Sequence, residues 1–236
     1  MDDTPPHAHD FFVFLASTAH DMKNSISLVS GTLEGLMDDD AHNAAPGAAY
    51  PQMAQMLYQT RRLNDNLMQL LALYKEVGTP AYPLDIALAE VAQVGEQVAS
   101  SNRVLLGARA IALAIDIAPG LCWHLDEDLV IGVVNHAINN ATRYTRDRIR
   151  LSMLERDGAL EIRVEDNGAG FSPALLAAGA AAGRGRAVDF RANSAGLGLY
   201  FATEVAKMHT HRGVCGTVRL ENGGPLGGGC FVMRLP

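Results

Sequence analysis

Positions Phe11, Leu15, Thr18, Met22, Ile26, Val29, Leu33 and Leu36 recur at intervals of three or four. That spacing, kept from 11 to 36, predicts one long amphipathic helix. The stretch DDDAHNAAPGAAYP, residues 38–51, then brings acidic residues, a glycine and two prolines that cannot continue a helix. A second stripe follows through Met53, Met56, Leu57, Leu63, Leu67, Leu70, Leu71, Tyr74 and Val77. Two helices with a short connection predict an antiparallel hairpin. Alone it leaves both stripes uncovered, so a four-helix bundle made by two chains is the economical solution, with packing against the chain's own second half as the alternative.

The segment VGTPAYPLD, residues 77–85, ends the hairpin and reads as a linker, which divides the chain into 1–79 and 80–236. Beyond it the period changes. Residues 84–101 predict a helix, IALAID (111–116) a strand, and DEDLVIGVVNHAINNATRY (126–144) another helix. RIRLSMLE and LEIRVED alternate around RDGA as an antiparallel pair, a helix is expected over 196–209, and GTVRLEN and GCFVMRLP read as closing strands. Helices mixed with antiparallel strands imply an α+β sandwich with the helices layered on one face of the sheet. PALLAAGAAAGRGRA, residues 173–187, reads as a mobile loop with one helical turn.

Composition narrows the function classes. With 236 residues and 48% hydrophobic content the chain can build a sizeable core. No apolar run reaches the roughly 18–20 residues that cross a bilayer, and the start MDDTPPHAHD is acidic where a secretory leader is basic, so a cytoplasmic protein without a membrane span is expected. The initial methionine and this acidic start favour a complete chain. Cys122, Cys215 and Cys230 are odd in number and lack CxxC spacing, which suggests buried thiols and neither a disulfide framework nor a zinc site. A net charge of −7 opposes general nucleic-acid binding.

Three clusters in the second half carry chemistry. In NHAINNATRYT, Asn140 offers an amide oxygen to a hard cation such as Mg²⁺, and Arg143 can meet a phosphate. In VEDNGAGF, a strand ends at Asp166, whose carboxylate can accept from an exocyclic amine, while Gly168 and Gly170 allow close backbone approach. In SAGLGLYFATEVAKMH, Gly196 and Gly198 open a helix whose free N–H groups attract phosphate. Each is weak evidence alone.

In this order, separated by the alanine–glycine segment, they resemble the N, G1 and G2 boxes of the histidine-kinase ATP-binding domain, a fold shared with gyrase and MutL. The resemblance covers 84–236. It implies an α+β sandwich of the histidine-kinase ATPase type that binds ATP and Mg²⁺. Asn140 would hold the metal, Asp166 the adenine amine, Gly168 and Gly170 the base, and Gly196 and Gly198 the phosphates. Arg143, Tyr144, Leu197 and Leu199 would complete the nucleotide site. The region between Phe171 and Ala195 would be the ATP lid, with Arg184, Arg186 and Arg191 in it. The departures are specific. The family's asparagine four residues before the metal ligand is His136 here, with Asn135 one position off, and His136 is expected to pack. Ser194 replaces a glycine, and the F box has Phe190 alone as candidate.

The hairpin then resembles the family's dimerisation and histidine-phosphotransfer domain, with HDMKN as its H box. Helix geometry agrees: at ~100° per residue, His20 lies about 160° from Met22 and about 140° from Leu15, away from the apolar stripe. By resemblance His20 is the phosphoacceptor, Asp21 the general base, and Asn24, one turn on, orients the water that dephosphorylates a response regulator. Ser25 stands where the family has a proline. The pairs His7/His9 and His209/His211 are expected to be solvated. The resemblance implies a homodimeric kinase that autophosphorylates on His20 and passes the phosphoryl group to a receiver aspartate. With about ten residues before the first helix, the signal is expected from a separate sensory protein unless the chain is a fragment. Two alternatives are a phosphorelay or scaffold protein that makes little use of ATP, and a protein acting mainly as a receiver phosphatase.

Overall fold

The computed structural model describes residues 84–182 and 194–236, together with positions 26, 29–33, 35, 36, 53, 56, 59, 60 and 63; at 178–182 and 194–197 it describes the backbone alone. The chain divides into two units, Met1–Pro83 and Leu84–Pro236. In the first unit every described position is helical, and these include Ile26, Val29, Leu33 and Leu36 of one stripe and Met53, Met56 and Leu63 of the other. Leu33 is buried, whereas Val29, Leu36, Met56 and Leu63 are exposed. His20, Asp21, Asn24 and Ser25 lie outside the described residues, as do Arg184, Arg186, Phe190 and Arg191.

The second unit runs β1 (Ala87–Glu90), α1 (Val91–Ala108), β2 (Ala112–Ile117), β3 (Cys122–Leu125), α2 (Glu127–Tyr144), β4 (Arg148–Arg156), β5 (Ala159–Asp166), α3 (Pro173–Ala182), α4 (Ser194–Met208), β6 (Thr210–His211), β7 (Val214–Cys215), β8 (Thr217–Asn222) and β9 (Gly229–Leu235). Five strands form the main sheet in the order β2-β4-β5-β9-β8, with β2 parallel to β4 and the other pairs antiparallel. The β4–β5 hairpin turns at Asp157 and Gly158, both at positive φ (52° and 69°). A two-residue turn of that kind matches the right-handed twist of the strands it joins.

Alternation divides the sheet's faces. Met153, Ile162 and Met233 stand side by side in the register of β4, β5 and β9, and all are fully buried. Against the sheet, α1 meets β2, α2 meets β4 and β5, and α4 meets β8 and β9, while α2 also packs on both α1 and α4. Val94, Val98, Leu129, Val133, Val134, Ile138 and Val205 complete this core. The opposite face is ionic. Glu161, 1% exposed, is bonded by Arg156 at 2.8 Å and Arg219 at 3.2 Å, with Arg163 at 3.5 Å and Arg234 at 3.9 Å. Arginine stems therefore shield a carboxylate that the strand period alone would leave in water.

The sandwich is as expected, and several elements differ from the sequence reading. Residues 87–90 form a strand and the helix starts only at Val91, because β1 pairs with β3, a segment that the sequence does not mark. Residues 173–182 are a helix of ten residues. Pro173 at its first position and Ser172 Oγ, which accepts from Leu175 N at 3.3 Å, supply its start. His209, expected in water, is 2% exposed: its Nδ1–H donates to Val205 O at 2.8 Å and its Nε2 accepts from Asp126 N at 3.0 Å. Cys122 and Cys215 are exposed where buried thiols were expected, and Cys230 is buried. Among the described residues no helix is long and apolar enough to cross a membrane.

Candidate active site

Helix α2 carries one wall of the site. Asp126 caps it, accepting from Leu129 N at 3.0 Å through Oδ1 and from Asp85 N at 3.1 Å through Oδ2. Glu127 and Asp128 in the first turn and Arg143 in the last complement the helix dipole. From this helix His136, Asn140, Arg143 and Tyr144 border a cavity of about 230 Å³. Val164 and Asp166 of β5, Gly170 and Phe171 of the following loop, Leu175 of α3, Gly198, Leu199 and Ala202 of α4, and Leu220 and Phe231 of the outer strands close it. The walls are mostly apolar, with a few polar groups converging on them, as small-molecule sites generally are.

The floor is the loop after β5. Asp166, 5% exposed, accepts from Gly168 N at 2.7 Å, which curls the chain back at once. Gly168 sits behind the cavity, where an added Cβ would lie 2.1 Å from the Tyr144 carbonyl oxygen. Gly170 has φ +81°, and a Cβ there would lie 2.8 Å from Asn222 Oδ1. Only glycine meets both demands.

Three residues that the sequence reading passed over fix this loop. Asn167 Oδ1 accepts from Thr145 Oγ1 at 2.8 Å and from the backbone N–H groups of Arg146, Asp147 and Arg148 at 3.1–3.2 Å, and its Nδ2 donates to Asp147 Oδ1 at 2.7 Å. It ties the floor to the turn that follows α2. Asn222 Oδ1 accepts from Phe171 N at 2.7 Å and its Nδ2 donates to Phe171 O at 2.9 Å, so a side chain pairs with the loop as a neighbouring strand would. Gly228 donates to Asp166 O at 3.1 Å, and a Cβ on it would lie 2.5 Å from Asp166 Oδ1. An asparagine inside the DxG pattern was the one local signal for this set.

Of the residues read from the sequence, Asn140, Arg143, Tyr144, Asp166, Gly170, Gly198 and Leu199 border the one cavity, while Gly196 and Leu197 lie in the first turn of α4. His136 rests on α4, where a Cβ on Gly198 would lie 1.8 Å from its Nε2. Asn135 is turned away and accepts from Asn102 Nδ2 of α1 at 2.7 Å. The donor set suits a nucleotide with a divalent cation: an amide oxygen for the ion, a carboxylate for an exocyclic amine, and a helix start for anions.

Comparisons with known proteins agree with that chemistry. Residues 125–236 match the family described as histidine kinase-, DNA gyrase B-, and HSP90-like ATPase. The signal transduction histidine-protein kinase AfsQ2 of Streptomyces coelicolor is 27% identical over 240 residues, covering 94% of this chain and 41% of that protein. The sensor-like histidine kinase SenX3 of Mycolicibacterium smegmatis is 25% identical over 251 residues, covering all of this chain and 61% of its own length. The chain thus spans about two fifths to three fifths of these relatives. Among solved structures, full-length ShkA in complex with AMPPNP aligns with a TM-score of 0.59 at 21% identity, over 94% of this chain and 45% of that one. Acinetobacter baumannii histidine kinase AdeS aligns at 0.55 and 18%, over 92% and 96%. At those identities the structural likeness speaks for the fold. Residues 125–236 therefore match the histidine kinase-, DNA gyrase B- and HSP90-like ATPase family, in a chain similar along its length to proteins named as sensor histidine kinases.

Proposed function

We propose that this chain is the kinase core of a two-component sensor, with a phosphotransfer hairpin over 1–79 and an ATP-binding domain over 80–236. Its work belongs in the cytoplasm, where ATP is supplied. The observation that carries the reading is the prebuilt floor at Asp166, held by Gly168, Asn222 and Gly228, facing Asn140 across one cavity.

In this reading Asp166 accepts from the adenine amine, the apolar walls enclose the base, and the start of α4 at Gly196 and Gly198 receives the phosphates. Asn140 holds the divalent cation, which neutralises charge on the phosphate oxygens when bound. A neutral His20 nitrogen attacks the γ-phosphorus; the bond to the bridging oxygen breaks and ADP departs. Asp21 takes up the proton of the other ring nitrogen. The phosphoryl group then passes to an aspartate of a receiver domain, and Asn24 orients the water that later removes it.

Exposed Val29, Leu36, Met56 and Leu63 support a homodimer, since a second hairpin would cover them. A separate sensory protein or a further part of the kinase supplies the stimulus. The test is transfer of label from γ-labelled ATP: the chain becomes labelled, and His20→Gln does not. Label retained on His20→Gln overturns the acceptor assignment. Asp166→Ala should remove AMPPNP binding in calorimetry, and unchanged affinity there overturns the site.

A further inference from the structure

The main sheet ends at β2, which among the described residues pairs with β4 alone. Ala112 N donates to Asp147 O at 2.8 Å and Ala118 N to Met153 O at 3.4 Å, so the even-numbered residues turn their backbone groups toward β4. Leu113, Ile115 and Ile117 therefore hold their N–H and C=O groups out at the free edge. Their side chains lie on the helix side of the sheet: a Cβ on Gly95 of α1 would meet Ile117 Cδ1 at 2.1 Å and Ile115 Cγ2 at 3.9 Å. Helix α1 packs inward on α2 and does not cover the edge. It leaves Ile115 42% exposed and a groove of about 460 Å³ between β2 and Ala99, Ser100 and Gly107 of α1. Open edges are generally blunted by lysine, proline or a bulge. ALAIDI has none of these: its pairing with β4 is uninterrupted from Ala112 to Ile117, and its single charge, Asp116, is bonded by Arg150.

The strand that this edge fits is its own copy. With a second β2 set antiparallel about a two-fold axis at Ile115, Ile115 stands opposite Ile115, Leu113 opposite Ile117, and Ala114 opposite Asp116. All the outward residues of both strands then fall in hydrogen-bonded pairs, each exchanging two N–H···O bonds. The same residues carry the apolar side chains, so isoleucine meets isoleucine and leucine on the helix side, while each Asp116 faces an alanine and keeps its own Arg150. The adjacent registers are poorer. An axis at Ala114 sets Ile117 opposite Ile111, whose N–H is already given to Leu106 O at 3.0 Å. An axis at Asp116 sets Leu113 opposite Pro119, which has no N–H, and brings two carboxylates face to face. We propose that β2 is an interface with a second copy of this chain, paired antiparallel about Ile115 so that the two main sheets become one. The small residues of α1 let its copy pass alongside across the groove. The nucleotide cavity is bounded by α2, α3, α4, β5, β8 and β9, so pairing at β2 leaves it open. This contact is separate from the hairpin dimer and does not depend on the nucleotide-site reading.

The test uses the full chain with Cys122→Ser and Cys215→Ser, which removes the exposed thiols. In that background Ile115→Cys should form a disulfide-linked pair under mild oxidation, because hydrogen-bonded partners stand about 5.5 Å apart at Cα, within the span that a disulfide bridges. Leu113→Cys alone should link on the order of tenfold less, and mixing it with Ile117→Cys chains should restore the link. Hydrogen exchange on the native chain at about 100 µM needs no variant: the outward amides of Leu113, Ile115 and Ile117 should be protected as a paired strand is. Ile115→Lys, which sets two ammonium groups at the axis, should speed exchange at Leu113 and Ile117 on the order of tenfold and leave Ala112, Ala114 and Asp116, bonded to β4, unchanged. A merely local loosening of β2 would move both sets. Outward amides that exchange in the native chain as fast as in a free peptide overturn the proposal, and so does equal linking at Leu113 and Ile115.

Discussion

Asn167 is the place where fold and site are tied most tightly, and Asn167→Ala is the substitution to make first. Its side chain is 9% exposed, and its single oxygen receives one hydroxyl and three backbone N–H groups while its nitrogen reaches Asp147. The three N–H contacts at 3.1–3.2 Å share that oxygen, so together they count as about one good bond. Adding the Thr145 and Asp147 bonds at ~1 kcal/mol net each gives a loss of about 3 kcal/mol for the alanine variant. For a unit of this size that lowers the melting midpoint by roughly 6–12 °C. The chain's single tryptophan, Trp123, lies in β3 and bonds the Pro236 carbonyl at 3.2 Å, so its fluorescence reports unfolding of this unit in urea. A second pair of variants separates the hydrogen bonds from lost packing. Asn167→Asp keeps the acceptor but sets a carboxylate against Asp147, and adding Asp147→Asn restores donor and acceptor in exchanged positions. The single Asp variant should lose at least as much as the alanine variant, and the double variant should recover most of it. An alanine variant within about 0.5 kcal/mol of the native chain, or no recovery in the exchange, refutes the assignment of Asn167 as the hub.

Gly168→Ala drives a methyl into the Tyr144 carbonyl oxygen and should weaken AMPPNP binding on the order of tenfold or more in calorimetry; native affinity would show that the loop yields freely. Burial alone would raise the Glu221 carboxyl, but the hydrogen bond and charge of Arg219 and the charge of Arg163 outweigh it and hold the pKa below its ordinary 4.5. Its contribution is therefore present above about pH 4.5 and lost as pH falls through the lower folded value, so the melting difference between native chain and Glu221→Gln should shrink toward pH 3. A difference that stays constant from pH 6 to pH 3 contradicts this. Burial, with the carboxylates of Glu165 and Glu221 against the opposing arginines, pushes the Cys230 thiol up to about 12, whereas Cys122 and Cys215 are exposed. A disulfide reagent at neutral pH should count two thiols in the folded chain and all three after denaturation; three at once in the folded chain would place Cys230 within reach of solvent.

What the sequence disclosed and what it concealed divide along the separation of the partners. Helix α2 was legible because its cap, its apolar period and its terminal charges are all local. The β4–β5 hairpin was legible because alternation and the Asp157–Gly158 turn sit side by side. Strand β1 was hidden because its partner starts 32 residues beyond its own end, and ALAE carries no period of its own. His209 looked like half of a surface pair because nothing local shows that the end of α4 lies beside the cap of α2, where Asp126 N–H needs an acceptor.

The site follows the same division, and it changes what its glycines mean. Gly168 and Gly170 suggested close approach to a ligand. The structure puts protein atoms in those spaces: the Tyr144 carbonyl behind Gly168, the Asn222 amide against Gly170, and Asp166 itself against Gly228. These glycines are required before any nucleotide arrives, because they let three remote segments converge on Asp166 and fix its carboxylate. A floor held by hydrogen bonds across 51 residues, as between Asn222 and Phe171, does not have to be ordered by its ligand. The ordering cost of binding then falls on other parts of the site.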